Sequence, residues 1–314
     1  MRHLLILVHI LLYAGGAIAQ ASYQEQEISL THEQDTLFGT LTLPSSYDRQ
    51  TPISLIIAGS GPTDRDGNNP IMTNNSLQML ARKLAENNIA SLRFDKRGIG
   101  KSSAAMVSEE ELRFETYVQD ASLWIDKIDS DYELGALSII GHSEGSLIGM
   151  LAAQQVTVSK FISLAGPAQS GDKIIREQLK DQHASIKNPS YQILDSLSQG
   201  YTVSNVPTML YSLFRPSVQP YLISWFAYVP QHEISKLSIP TLIMQGTTDF
   251  QISVAEAQVL AKASPQSQLI IVEGMNHILK IAPEERTQNA LTYNQPNLPL
   301  AEEAVKGMVN FIKN

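Results

Sequence analysis

Cysteine is absent from all 314 residues. With it go disulfides, a thiol nucleophile, thiolate metal sites and a thiol-linked lipid anchor, so stability rests on a packed core alone. Basic residues are scarce as well: 23 Lys and Arg stand against 31 Asp and Glu, a net charge of −8. Without a Lys/Arg cluster the chain lacks the electrostatic footprint of a nucleic-acid binder, and an acidic polymer is disfavoured as substrate for the same reason. Repeats, heptads and low-complexity tracts are missing, which argues against solenoids and coiled coils. No apolar run is long enough for a permanent membrane span. What is present is an ordinary globular mixture, 43% apolar and 17% charged, in a chain long enough for one large domain carrying an insertion.

The first residues, MRHLLILVHILLYAGGAIAQ, place Arg2 before an apolar run from Leu4 to Tyr13 and close on Ala17-Ile18-Ala19. This three-part layout is that of a secretory signal peptide over residues 1–19; the competing reading is a buried N-terminal helix. Export to the periplasm or the medium is therefore expected, and loss of Arg2 moves the mature charge from −8 to −9. The sequon Asn74-Asn75-Ser76 says little without knowledge of the host.

Past the signal, EQEISLTHE and DTLFGTLTLP alternate apolar with polar residues and read as a hairpin ending at Pro44. ISLIIAGSG (Ile53 to Gly61) is a continuous apolar run suited to a strand buried on both faces. A helix pattern follows in SLQMLARKLAEN, then the strand IASLRFD, a helix over about Glu115 to Ile128, the strand ALSIIGH, the helix SLIGMLAAQQ and the strand VSKFISLAG. Alternating β and α predicts a mainly parallel central sheet with helices on both faces. From 169 to 237 the alternation stops, and a proline-broken helical stretch carries Tyr191, Tyr201, Tyr211, Phe214, Tyr221, Trp225, Phe226 and Tyr228. We read it as a helical cap inserted into a core formed by 20–168 and 238–314. PTLIMQG, a helix near Val254 to Ala263, QLIIVEG and a helix from about Ala301 to Ile312 complete the core, with LTYNQPNLPL (Leu291 to Leu300) as a loop.

Gly141-His142-Ser143-Glu144-Gly145 fits G-x-S-x-G, and it falls between a predicted strand and a predicted helix, the only context in which the motif has mechanical meaning. A serine hydroxyl needs a base within hydrogen-bond reach and an acid to orient that base. Asp249 lies just beyond the strand PTLIMQG and His277 just beyond QLIIVEG. In a parallel sheet the carboxyl ends of strands share one edge, so Ser143, Asp249 and His277 can converge. Glu273 is a rival acid, and Asp249 has an alternative as a helix cap. Glu144 N–H is the expected first oxyanion donor; the second is expected from Ser60 or Gly61 in AGSGPTDRDGNNP, a loop that also reads as a plain turn. Asp64, Arg65 and Asp66 of that loop either bind substrate or form a solvated turn. GIGKS ends like a phosphate-binding loop, but the glycine required five residues before Gly100 is Asp95, so the nucleotide reading fails. Asp95 and Arg97 are expected to hold their loop together.

GHSEG, GSGPTDRDGN, RFDKRGIGKS (Arg93 to Ser102) and the Asp249 and His277 loops together resemble the α/β-hydrolase family over essentially the whole mature chain. Within it the chain looks most like bacterial serine esterases and serine-aminopeptidase-like hydrolases with a helical cap. The resemblance implies the α/β-hydrolase fold, an acyl-enzyme on the serine resolved by water, and neither metal nor organic cofactor. The expected substrate is a small molecule, a carboxylic ester of a small or medium acyl group, with an amide or peptide bond as the enzymatic alternative, an acyltransferase behind it and a non-catalytic ligand-binding protein as the alternative of another class. Two departures stand out: Gly59-Ser60-Gly61-Pro62 replaces the usual His-Gly of the oxyanion loop, and Ser146 stands where many relatives have glycine.

Overall fold

The computed structural model describes residues 22–106 and 108–314; the signal sequence expected at 1–19 lies outside them. The chain opens with β1 (Tyr23–His32) and β2 (Asp35–Pro44), an antiparallel hairpin turned at Glu33, whose φ is 54°. Six strands then run parallel: β3 (Ile53–Ile57), β4 (Ala90–Phe94), β5 (Leu137–His142), β6 (Lys160–Leu164), β7 (Thr241–Gly246) and β8 (Gln268–Val272). They form one eight-stranded sheet in the order β1-β2-β4-β3-β5-β6-β7-β8, with β2 antiparallel to β4.

Helices α1 (Ser76–Glu86), α2 (Phe114–Asp131) and α3 (Glu144–Ala152) make the first crossovers. Between β6 and β7 the chain leaves the sheet and builds α4 (Gly171–Leu179), α5 (Ala184–Ser198), α6 (Tyr211–Phe214), α7 (Gln219–Phe226) and α8 (Pro230–Ile234). Pro189, expected to interrupt this region, sits inside α5. At the sixth residue of α5 it removes one backbone hydrogen bond, and the helix continues through it to Ser198. Helices α9 (Val254–Ala263), α10 (Arg286–Leu291) and α11 (Glu302–Lys313) follow.

The continuous apolar runs are explained by burial on both faces. Leu55 and Ile57 of β3, Ile139 of β5 and Phe161 of β6 point into the cluster under α2 and α3, while Ile56, Ile140 and Ile162 point to the opposite cluster under α1 and α11. Leu77, Leu80, Ala81 and Leu84 of α1 recur at helical spacing and are fully buried there. Each such leucine contributes roughly 1.5–3 kcal/mol of transfer free energy. The strand order has one functional consequence. The path from β3 through α1 to β4 runs one way along the sheet and the path from β5 through α3 to β6 runs the other, so a crevice opens beyond the carboxyl ends of β3 and β5.

Candidate active site

The loop after β5 is the turn that carries Ser143. Its backbone has φ 55° and ψ −122°, a strained conformation for a residue with a side chain, at the N-terminus of α3. The flanking glycines follow from packing: a Cβ on Gly141 would lie 2.3 Å from the Gly145 carbonyl oxygen, and one on Gly145 would lie 2.3 Å from that of Ile57. Ser143 N–H donates to the Leu164 carbonyl at 2.9 Å, tying the turn to β6. The unusual Ser146 is buried and shares a 2.8 Å hydroxyl hydrogen bond with Ser163; Gly166, opposite, leaves it room.

Asp249 and His277 meet at 2.8 Å, Oδ2 to Nδ1, with side chains 0% and 6% exposed. Asp249 also accepts from Gln245 Nε2 at 2.9 Å and, through Oδ1, from the Gln251 and Ile252 N–H groups at 2.8 and 3.0 Å. Burial by itself would push this carboxyl up, but His277, the Ile252 N–H and Gln245 together hold it below its ordinary value. The cap of α9 is Ser253, so Asp249 does not serve that helix, and the rival Glu273 is exposed. His277 lies against the serine turn: its carbonyl oxygen is 2.8 Å from His142 Nε2 and the two rings are 4.8 Å apart. His142 is buried, and burial followed by repulsion from His277 takes it down to about 3, so it is neutral and donates to that carbonyl.

A cavity of about 590 Å³ opens over Ser143, and Ser60, Gly61 and Glu144 line it. Glu144 is the first residue of α3, where helix N–H groups have no intrahelical acceptor. Gly59 passes so close that a Cβ there would sit 3.1 Å from that of Ser143. The rest of the wall is mostly aliphatic, with Ile174 and Ile175 from α4, Leu213, Val218 and Leu222 among its members. Of the eight aromatic residues between 169 and 237, Tyr221 and Trp225 line it. The others are elsewhere: Phe214 is fully buried, Tyr228 packs on Phe114, and Tyr201 and Tyr211 are exposed. Phe114, at the start of α2, stacks on Trp225 at 6.4 Å and touches Tyr228 at 5.7 Å, and its N–H donates to Ser224 Oγ. These contacts root α7 on the core.

Two carboxylates line the cavity, and each is engaged within the protein. Glu109 takes Arg215 Nε at 2.8 Å and the Ser217 hydroxyl, both from the region between β6 and β7. Glu144 takes Lys96 Nζ at 3.0 Å and the Tyr221 hydroxyl at 2.6 Å. Lys96 and Glu144 are 2% exposed along their side chains. Removing one member of such a buried pair strands the other at a cost of about 3–5 kcal/mol. Sequence reasoning missed Lys96 and His142, and singled out Tyr221 only as an aromatic of the 169–237 segment, not as a partner of Glu144. A glutamate at the x position of a buried turn was the available signal, since its charge demands a buried partner.

The remaining motif residues are structural. Arg65 bonds Asp95 through its backbone and its guanidinium, both at 2.8 Å; Asp66 holds Arg93 Nε at 2.8 Å; Asp64 Oδ1 accepts from the Asp66 and Asn68 N–H groups. The TDRDGN charges are thus engaged within the protein, Arg65 buried and Asp64 and Asp66 half-buried, and none of them lines the cavity. Arg97 pairs with Asp120 and Asp35. Asn74 of the sequon is buried and donates to the Gly67 carbonyl. Among the described residues, no cluster of His, Asp and Glu could hold a metal ion and no helix is long and apolar enough to cross a membrane.

Residues 72–208 match the sequence model of a family described as "Serine aminopeptidase, S33". Among solved structures, the ferulic acid complex of Est1E from Butyrivibrio proteoclasticus is 17% identical, with a TM-score of 0.62, covering 91% of this chain and 100% of that one. The esterase Pf2001 of Pyrococcus furiosus is 16% identical, with a TM-score of 0.61, covering 93% and 92%. The esterase EaEST of Exiguobacterium antarcticum is 16% identical, with a TM-score of 0.53, covering 88% and 96%. Among curated proteins none matches in sequence. At such identities the likeness establishes the fold, that of the α/β hydrolases.

Proposed function

We propose that this α/β hydrolase is a serine carboxylesterase acting on small or medium acyl esters. The observation that carries the choice is the cavity over Ser143: its wall is largely aliphatic, and both its carboxylates are already neutralised, Glu109 by Arg215 and Glu144 by Lys96. An aminopeptidase must seat a free α-ammonium group, and the cavity offers it no unpaired carboxylate. An uncharged ester has no such requirement, and an apolar acyl group gains by leaving water.

In the proposed mechanism Asp249 holds the His277 imidazole with its proton on Nδ1, leaving Nε2 to take the proton from Ser143 Oγ as that oxygen attacks the ester carbonyl. The tetrahedral oxyanion is met by Glu144 N–H and by an N–H of the Ser60-Gly61 loop. Collapse breaks the bond to the alcohol, which leaves with the proton from His277. Water, deprotonated by the same histidine, then attacks the acyl-enzyme and releases the acid. The test is hydrolysis of p-nitrophenyl acyl esters and aminoacyl p-nitroanilides by the wild type and by Ser143→Ala. Ester turnover abolished in the variant is the expected result. Turnover of anilides alone would transfer the reading to a peptidase, and an inert wild type that also resists a fluorophosphonate would leave a ligand-binding protein.

Export is part of the proposal and rests on the layout of residues 1–19. The expected mature chain begins at Gln20, which mass determination of protein from the cell envelope or medium checks. Recovery of the uncleaved chain from the cytoplasm would overturn it.

A further inference from the structure

We infer that Lys96 is a positioning residue that sets both halves of the oxyanion hole, and that Tyr221 connects this device to the cap. The inference rests on the serine-hydrolase reading above. Lys96 follows β4, on neither loop that supplies the hole, yet its ammonium reaches both: the Gly59 carbonyl at 2.7 Å and Glu144 Oε2 at 3.0 Å. The Tyr117 ring lies 4.9 Å from the same nitrogen, so each side of the ammonium is matched by an acceptor or a π face.

The geometry gives these contacts a meaning beyond stability. A peptide unit is planar and trans, so fixing the direction of the Gly59 carbonyl fixes the opposite direction of the Ser60 N–H. The Lys96 contact therefore acts on Ser60 rather than Gly61 as the second donor. Glu144 supplies the other N–H, and its side chain is held from two sides, by Lys96 and by the Tyr221 hydroxyl at 2.6 Å. Tyr221 is buried, and burial followed by the charge of Glu144 pushes its hydroxyl well above the ordinary range, so it stays a donor throughout the working pH range. One buried cation thus orients two amides on separate loops, and the cap reports its seating to them through a single hydroxyl. A buried ion pair is weak evidence for stability, which favours orientation as its role.

The test uses Lys96→Met/Glu144→Gln, which removes both charges together, and Tyr221→Phe, which deletes one oxygen. Each is compared with the wild type in ester turnover and in affinity for a trifluoromethyl ketone that forms a tetrahedral adduct on Ser143. The double variant is expected to lose about 100-fold in kcat and a similar factor in ketone affinity, with KM within about threefold, because misdirected donors are felt only when the oxyanion forms. Tyr221→Phe is expected to show the same pattern at about tenfold. Unchanged kcat and ketone affinity in folded Tyr221→Phe would overturn the link to the cap, and the same result in the double variant would overturn the positioning role. A loss confined to KM or melting temperature would also overturn it, assigning the cluster to structure. If the double variant does not fold, Lys96→Arg takes its place: it keeps the charge but moves the donors, and must show the same kcat-selective loss. Labelling of wild-type Ser143 by a fluorophosphonate separates these outcomes from failure of the hydrolase reading, which would leave the wild type itself inert.

Discussion

Acid stability offers a direct test of how His142 is held. Folded, His142 is neutral and titrates near 3, whereas in the unfolded chain it returns to about 6.5. Below pH 6.5 the unfolded state therefore gains a proton that the folded state refuses. Stability present above 6.5 is lost as the pH falls towards 3, at about 1.4 kcal/mol per pH unit once the unfolded histidine is fully charged. Integrated over the window the contribution approaches roughly 5 kcal/mol, and about 3 kcal/mol of it is lost between pH 7 and 4. His142→Gln is the matched perturbation, since its amide N–H can replace Nε2–H on the His277 carbonyl without a titrating group. Urea unfolding of both proteins at intervals from pH 7 to 4 reads the difference, because groups remote from residue 142 cancel. The variant should start slightly less stable and lose less, so that the two curves converge or cross. Parallel curves would refute the neutral, donor-only role of His142.

Three further outcomes are expected. Gly145→Ala places a methyl 2.3 and 2.7 Å from the carbonyl oxygens of Ile57 and Ala58; it should cost roughly 3 kcal/mol and slow fluorophosphonate labelling of Ser143, and wild-type melting with wild-type labelling would contradict the packing account. Asp249→Asn presents an amide N–H or a neutral oxygen to His277 Nδ1, and a fall in kcat on the order of 10⁴-fold with KM little changed is expected from ester kinetics. Glu256 takes the Ala168 and Gln169 N–H groups at 2.7 and 3.0 Å at the root of the cap region. Glu256→Gln should cost roughly 1–3 kcal/mol in thermal unfolding, more than a surface glutamate, and a change within error would remove its anchoring role.

The sheet was legible because its strands are buried on both faces: runs such as ISLII and TLIMQG have no polar side to obscure their period. Ser143, Asp249 and His277 were legible for a related reason, since each lies just beyond the carboxyl end of such a run, and strand order carries them to one edge. The cavity wall was not. Counting aromatics between 169 and 237 singled out the segment between β6 and β7, but which of them face the cavity depends on how short helices pack, and Ile174, Ile175 and Leu213 carry no local mark of it. The TDRDGN charges were ambiguous because their partners Thr40, Arg93 and Asp95 come from strands or strand ends distant in sequence. Lys96 was overlooked beside Asp95 and Arg97, in a tripeptide whose outer members are spent on holding loops.

The cap region and the last two strands also impose an order on manufacture. Ser143 and the whole segment between β6 and β7 precede Asp249 and His277 in the chain. A ribosome therefore completes the proposed nucleophile and the helices between β6 and β7 well before the proposed acid and base exist, and β7 and β8 must join the growing edge of the sheet before His277 can reach the turn. A nascent or truncated chain ending anywhere before residue 277 holds that serine without its proposed base. On the proposed mechanism competence waits for residue 277, so a chain cut between Ser143 and His277 should fail to turn over esters however well its serine turn is formed.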